Sequence, residues 1–190
     1  MCLQIILASG SPRRRELLHQ LGLDFVVIPS QYDEHSHPPL PPAPLAEHLA
    51  LSKAREVAAR YPDALVIGAD TIVVLDGEVL GKPRDREEAV AMLRRLSGRE
   101  HEVITGVAVL QGDRRRVEHE VTKVRFRPLD EGQIRRYVAT GEPMDKAGAY
   151  GIQGRAAAMI ESICGDYFNV VGLPLSRIAQ MLSHFGVEVL

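Results

Sequence analysis

Tryptophan is missing from this 190-residue chain, aromatic residues make up only 5% of it, and cysteine occurs twice, at Cys2 and Cys164. So few aromatics leave little for a platform on which successive bases could stack, which argues against a single-stranded nucleic-acid binder. Neither sign of charge dominates: 23 Lys and Arg stand against 25 Asp and Glu, a net charge of −2, so a non-specific coat for nucleic acid is excluded as well. Two distant cysteines make neither a disulfide scaffold nor a metal-ligand pair. No stretch approaches the roughly 18 apolar residues that span a bilayer, and "MCLQIILASG" lacks the basic leader of an export signal. The expectation is a protein of the reducing cytoplasm, with neither membrane nor nucleic acid as partner. No internal repeat and no clean boundary interrupts residues 1–190, so a single domain is expected.

What is present is an alternation of apolar strands and amphipathic helices. "LQIILA" (3–8) reads as a buried strand, and Ser11 and Pro12 are a good N-cap and first residue for a helix ending at Gly22. "DFVVIP" (24–29) is a second strand. "PPLPPAPL" (38–45) reads as a stiff extended connector into a helix on which Leu45, Leu49, Ala50, Ala54 and Val57 share a face. Residues 64–83 hold two β-rich runs around an Asp-Gly turn. Capping boxes at Asp85/Glu88 and Asp130/Gln133 open two further helices. Between them, "HEVITGVAVL" and "VEHEVTKVRFRPL" read as an exposed antiparallel ribbon with Arg114–Arg116 at its tip. "AAMIESI" and "YFNVVG" are short β-like runs before a C-terminal helix from Leu173 to His184. The pattern predicts an α/β fold with a mixed sheet.

Three features carry chemistry. Three consecutive arginines, Arg13–Arg15, occupy a predicted first helical turn, where the helix dipole disfavours cations by about 0.3–1 kcal/mol each; something anionic in front of that turn would explain them. Asp70 interrupts "LVIGADTIVVL", where every neighbour belongs in a core. On the residues alone it is either a carboxylate satisfied by backbone amides at a strand kink or a member of a functional site. Lys53 on its helix and Lys82 in "GKP" read as solvent-facing lysines, and Pro83 stands where a Walker loop needs Ser or Thr. The glycines of "DKAGAYGIQG" (145–154) do not follow a predicted strand, so a Rossmann site is a poor reading. The histidines of "HSH" (35–37) lack zinc-site spacing and read as surface residues. Together these features point to a phosphorylated ligand with a divalent metal, and no further.

The pieces "SGSPRRRELL", "LSKAR", "GADTIV", "GKPRD", "SGREHEVITGV", "DKAGAYGIQG" and "VVGLPL", in this order and spacing, resemble the Maf family of nucleoside triphosphate pyrophosphatases. The resemblance implies an elongated mixed β-sheet flanked by helices, with two lobes and a central cleft, similar to inosine triphosphate pyrophosphatases. It implies hydrolysis of a nucleoside triphosphate to monophosphate and pyrophosphate with a divalent cation, Mg²⁺, Mn²⁺ or Co²⁺. In it, Asp70 matches the catalytic proton acceptor, and Ser9, Arg14, Lys53 and Lys82 match phosphate-binding positions. Glu34 and Asp70 match the metal site, with Asp33 a second carboxylate beside Glu34. Arg13, Thr71 and Gln153 match the set carried by relatives that act on dTTP and UTP, whereas relatives preferring 7-methylguanosine triphosphate carry other residues there. The small-molecule partner implied is thus a nucleotide, with modified pyrimidine nucleotides also in scope and a homodimer as the assembly. The family name is also tied to septum formation, so a nucleotide-binding regulator without turnover is the alternative.

Overall fold

A computed structural model describes residues 3–34 and 36–189; Cys2 and His35, both named above, lie outside the described residues. The order of elements is β1 (Ile5–Leu7), α1 (Pro12–Gln20), β2 (Val26–Val27), α2 (Pro42–Ala58), β3 (Leu65–Leu75), β4 (Glu78–Leu80), α3 (Arg86–Leu96), β5 (Glu100–Gln111), β6 (Arg114–Phe126), α4 (Glu131–Ala139), β7 (Ile160–Cys164), α5 (Tyr167–Val171) and α6 (Leu175–Ser183). Three short 3₁₀ segments, Glu142–Asp145, Ala147–Ala149 and Arg155–Met159, lie between α4 and β7.

One seven-stranded mixed sheet has the order β2-β1-β3-β5-β6-β7, with β4 paired to β3. β1 runs parallel to β2 and to β3, while β3 with β4 and β6 with β7 are antiparallel. The chain divides into two compact units, and β3, β5 and β6 contribute residues to both. The first unit takes the chain up to Asp70, Thr105–Glu120 and the chain from Gly172; the second takes Thr71–Ile104 and Val121–Val171.

The core of the first unit is built on α2. Leu45, Ala46, Leu49, Ala50, Lys53, Ala54 and Val57 recur at helical spacing and are buried. The helix approaches the sheet closely because Gly68 on β3 and Gly106 on β5 have no side chain there. A Cβ on Gly68 would overlap the Ala50 carbonyl oxygen and lie 2.9 Å from the Ala54 Cβ, and one on Gly106 would overlap the Ala46 carbonyl. Ile6, Ala8, Val66 and Ala108 pack with Ala50, Ala54 and Val57. The second unit holds a larger cluster that includes Val73, Leu75, Leu93, Phe126, Ile134 and Tyr150.

His101 belongs to that second core. It is 3% exposed, shares a 2.8 Å hydrogen bond between Nε2 and the Tyr150 hydroxyl, and meets the Phe126 ring edge-on at 5.2 Å. Among the described residues its Nδ1 has no partner, so a protonated ring would bury a second N–H without an acceptor. Burial pushes its pKa down to about 4. An unfolded histidine titrates near 6.5, so between the two values the unfolded chain binds the extra proton, and stability is lost as the pH is lowered. The group's contribution is fully present above about pH 6.5 and its loss approaches about 3 kcal/mol near pH 4. Urea unfolding of the wild type is expected to weaken more between pH 7 and pH 4 than that of His101→Gln. Parallel pH curves for the two proteins would contradict this.

Several sequence expectations change. Helix α2 begins at Pro42, inside the expected connector, because prolines in a first turn lack only N–H groups that would be unsatisfied anyway. At α3 the Asp85 side chain caps Glu88 N–H at 2.8 Å, but the Glu88 carboxylate bonds Arg84 N–H at 2.6 Å instead of closing the box. The expected exposed ribbon is exposed only in part: β5 lies between β3 and β6 and is buried over nearly its whole length, consistent with an apolar run on both faces, while β6 is mostly half-buried with Arg114, Arg115, Lys123 and Arg125 exposed. Arg114–Arg116 open β6 directly after the Gly112–Asp113 turn, with Arg114 and Arg115 exposed as expected of a tip; Arg114 stacks 4.8 Å over the Phe185 ring and Arg116 pairs with Glu118. "YFNVVG" is the helix α5, not a strand. Asp166 accepts the Phe168 N–H at 2.7 Å, and the Asn169 amide reaches the Val103 carbonyl at 3.0 Å, so tertiary contacts override β propensity there. Among the described residues no helix is long and apolar enough to cross a membrane.

Candidate active site

The first unit gathers one group of polar side chains. Ser9 follows β1 and is buried; its Oγ accepts the Ser11 N–H at 3.2 Å and an Arg14 Nη1–H at 3.4 Å. Ser11 caps α1 by accepting the Arg14 N–H at 3.4 Å, and Pro12 opens the helix. Arg14 Nε–H donates to the Gly172 carbonyl at 2.8 Å, which fixes the plane of the guanidinium. Burial lowers the Arg14 pKa and the Arg13 charge lowers it further, while Asp70 and Glu34 pull it upward. The arginine stays charged at physiological pH, and the carboxylates are close enough to act on it.

Lys53 sits at the centre of this group. It lies on the buried face of α2, so its side chain has little access to bulk water. Instead its Nζ donates to Glu34 Oε1 at 2.6 Å and to Asp70 Oδ1 at 2.5 Å. Asp70 and Lys53 are 7% and 8% exposed, so this pair is a buried one, while the Glu34 side chain is 46% exposed and faces solvent. The buried carboxylate flagged in β3 therefore has its partner, and the reading of Lys53 as solvent-facing is corrected. Of the adjacent Asp33 and Glu34, Glu34 bonds Lys53.

The second unit holds Thr71, Lys82 and Gln153. Thr71 follows Asp70 directly and shares a face of β3 with Val73, two residues on. Gly148, in the left-handed region at φ 67°, packs on Val73, where a Cβ would lie 2.9 Å from Val73 Cγ1. Its N–H donates to the Gly81 carbonyl at 3.0 Å. That bond ties the glycine-rich loop to the residue before Lys82, so the loops carrying Lys82 and Gln153 are held in one unit. Lys82 and Gln153 are exposed, and Thr71 and Arg13 are partly buried.

The two carboxylate oxygens that converge on Lys53 Nζ are hard donors of the type a divalent ion such as Mg²⁺ or Mn²⁺ takes. Among the described residues no cluster of three or more His, Cys, Asp or Glu side chains forms a closed cage. One or two carboxylates completed by water and substrate phosphates is the set that Mg²⁺ and Mn²⁺ accept.

Comparison with known proteins agrees with the motifs. A family model described as "Maf-like protein" matches residues 4–185. This chain belongs to the Maf family. Its curated relatives include a dTTP/UTP pyrophosphatase of Symbiobacterium thermophilum, 65% identical over 186 residues that cover 98% of this chain and 96% of the relative. Another dTTP/UTP pyrophosphatase, from Pelotomaculum thermopropionicum, is 59% identical over 98% of this chain and 99% of its own. Among solved structures, a HAM1 protein from Coxiella burnetii superposes with a TM-score of 0.52 at 17% identity, covering 96% of this chain and all of that one, a likeness of fold. In this Maf protein the residues reached by sequence thus fall into two sets: Ser9, Arg13, Arg14, Glu34, Lys53 and Asp70 in the first unit, and Thr71, Lys82 and Gln153 in the second. Gly172, the carbonyl anchor of Arg14, was not singled out from the sequence; its signal there is only a glycine ahead of "LPL", and the structure shows it at φ 128°.

Proposed function

We propose that this protein hydrolyses nucleoside triphosphates, dTTP and UTP foremost, to the monophosphate and pyrophosphate. The observation that carries the proposal is the convergence of Glu34, Asp70 and Lys53 on one point, with Arg14 electrostatically coupled to both carboxylates. The names of the curated relatives support the same chemistry.

In this reading Ser9 and Arg14 hold phosphate oxygens and Gly172 keeps the Arg14 fork turned for them, Lys82 is a further phosphate ligand, and Arg13 is a specificity residue for the base or sugar. Glu34 and Asp70 hold the divalent cation, which when bound neutralises phosphate charge and lowers the cost of the departing pyrophosphate. Asp70 orients the attacking water and takes its proton as the new oxygen bond to the α-phosphorus forms and the bond to the bridging oxygen breaks. Lys53 keeps both carboxylates in register and lies within reach of a phosphate oxygen brought to them. Thr71 and Gln153 read the pyrimidine or its sugar, the Gln153 amide offering both a donor and an acceptor.

The test is a panel of dTTP, UTP, CTP and 7-methyl-GTP with Mg²⁺, Mn²⁺ or Co²⁺, assayed separately for pyrophosphate and orthophosphate. Pyrophosphate and the monophosphate are expected in equal amounts, fastest from dTTP and UTP. Orthophosphate as the first product would overturn the bond assignment, and binding without turnover would favour a regulatory role.

A further inference from the structure

Gln153 sits in a tight turn whose two flanking glycines are spaces filled by other side chains. The Gly154 N–H donates to the Gly151 carbonyl at 3.1 Å, which places Ile152 and Gln153 at the centre of a four-residue turn. A Cβ on Gly151 would lie 2.7 Å from Cδ and Cε of Lys146. A Cβ on Gly154 would overlap Oε1 of Glu142 and lie 2.7 Å from its Oε2. Both filling side chains come from one short stretch, the 3₁₀ segment Glu142–Asp145 and the residue after it.

Each is itself held. Glu142 Oε2 accepts the Arg155 N–H at 3.0 Å, and Oε1 accepts the Ala156 N–H at 3.5 Å and the Tyr137 hydroxyl at 2.9 Å. The carboxylate thereby satisfies N–H groups at the start of the Arg155–Met159 segment, directly after the turn. Burial, with the Glu142 carboxylate second, pushes the Tyr137 hydroxyl well above its ordinary range, so it remains a donor. The Lys146 ammonium donates to the Glu142 carbonyl and to the Asp145 carboxylate, both at 2.7 Å, and its stem lies across Gly151.

We infer that Glu142 and Lys146 form a clamp on both ends of the Gly151–Gly154 turn and, by fixing the backbone that carries Gln153, set the base selectivity of the enzyme. The inference rests on the proposed reading of Gln153. An amide distinguishes uracil from cytosine only if its donor and acceptor arrive at fixed positions. A loose turn lets the same amide rotate to suit either base, so selectivity falls although the amide is retained.

The test uses the full chain with Glu142→Gln, Tyr137→Phe and Gln153→Ala, and reads two quantities. One is amide hydrogen exchange at residues 151–156 in the free protein; the other is the ratio of kcat/KM for UTP over CTP, with KM and kcat resolved. Glu142→Gln is expected to speed exchange at Arg155 and Ala156 and to lower the ratio about tenfold, mainly through KM for UTP. Tyr137→Phe, which deletes only the hydroxyl, is expected to move both readouts the same way by a smaller factor. Unchanged exchange in both clamp variants would show that Glu142 does not hold the turn, and faster exchange with an unchanged ratio would separate the turn from selectivity; either overturns the clamp. A ratio that survives Gln153→Ala but falls in Glu142→Gln would overturn the reading of Gln153 and leave the clamp standing.

Discussion

Asp70→Asn is expected to reduce kcat for pyrophosphate release from dTTP by about a thousandfold or more, the size associated with losing a positioned general base together with a cation ligand. The substitution keeps the shape of the side chain, and the amide oxygen can still accept from Lys53 Nζ, which lies 2.5 Å from Asp70 Oδ1. What is lost is the charge that takes the proton from water. Lys53 keeps Glu34 as its ionic partner at 2.6 Å, so the fold should survive. The measurements are steady-state pyrophosphate release, thermal unfolding, and dTTP affinity by calorimetry. Activity within tenfold of the wild type would remove Asp70 from the centre of the reaction.

The second large effect concerns the cation that holds these carboxylates together. Lys53→Met keeps most of the stem volume on the buried face of α2 and deletes only the ammonium. Asp70 and Glu34 would then lose the ammonium to which both are bonded. Removing one partner from a buried ion pair costs about 3–5 kcal/mol, and because the Glu34 side chain is 46% exposed and partly screened, the lower end is expected. Turnover of dTTP should fall at least about a hundredfold as the carboxylates lose their register. Lys53→Arg should not restore it, because a planar guanidinium cannot offer a single point charge to both oxygens. A further sign distinguishes this account from a general loss of packing. Millimolar Mn²⁺ should raise the Tm of Lys53→Met more than that of the wild type, since the two carboxylates then lack the ammonium that both accept from. Equal Mn²⁺ shifts, or no destabilisation, would show that the ammonium is not holding the pair.

Both expectations turn on a lysine whose surroundings the sequence only half reveals. Lys53 stands three residues after Ala50 and four before Val57, on the stripe that Leu49 and Ala54 mark as buried, and that spacing was a readable sign that it does not face water. The partner was not readable. Glu34 lies 19 residues earlier in a loop and Asp70 lies 17 residues later on a strand, and no periodicity joins them. The clamp on Gln153 is similar: "GIQG" shows the glycines, but only the packed chain shows that Glu142 and Lys146 fill the spaces beside them.

By itself the sequence determined what depends on neighbours along the chain. The Ser11 cap, the Asp130/Gln133 capping box, and the turn at Asp76 and Gly77, with φ of 54° and 80°, are there as expected, because caps and tight turns are decided by hydrogen bonds and sterics within a few residues. It also determined family membership, through ordered motifs within residues 4–185. The tertiary structure alone decided that β5 is an interior strand, that Tyr167–Val171 coils into a helix, and which carboxylates Lys53 joins. Those outcomes depend on desolvation and packing between segments distant in sequence, where burial and an unpaired charge each outweigh local propensity.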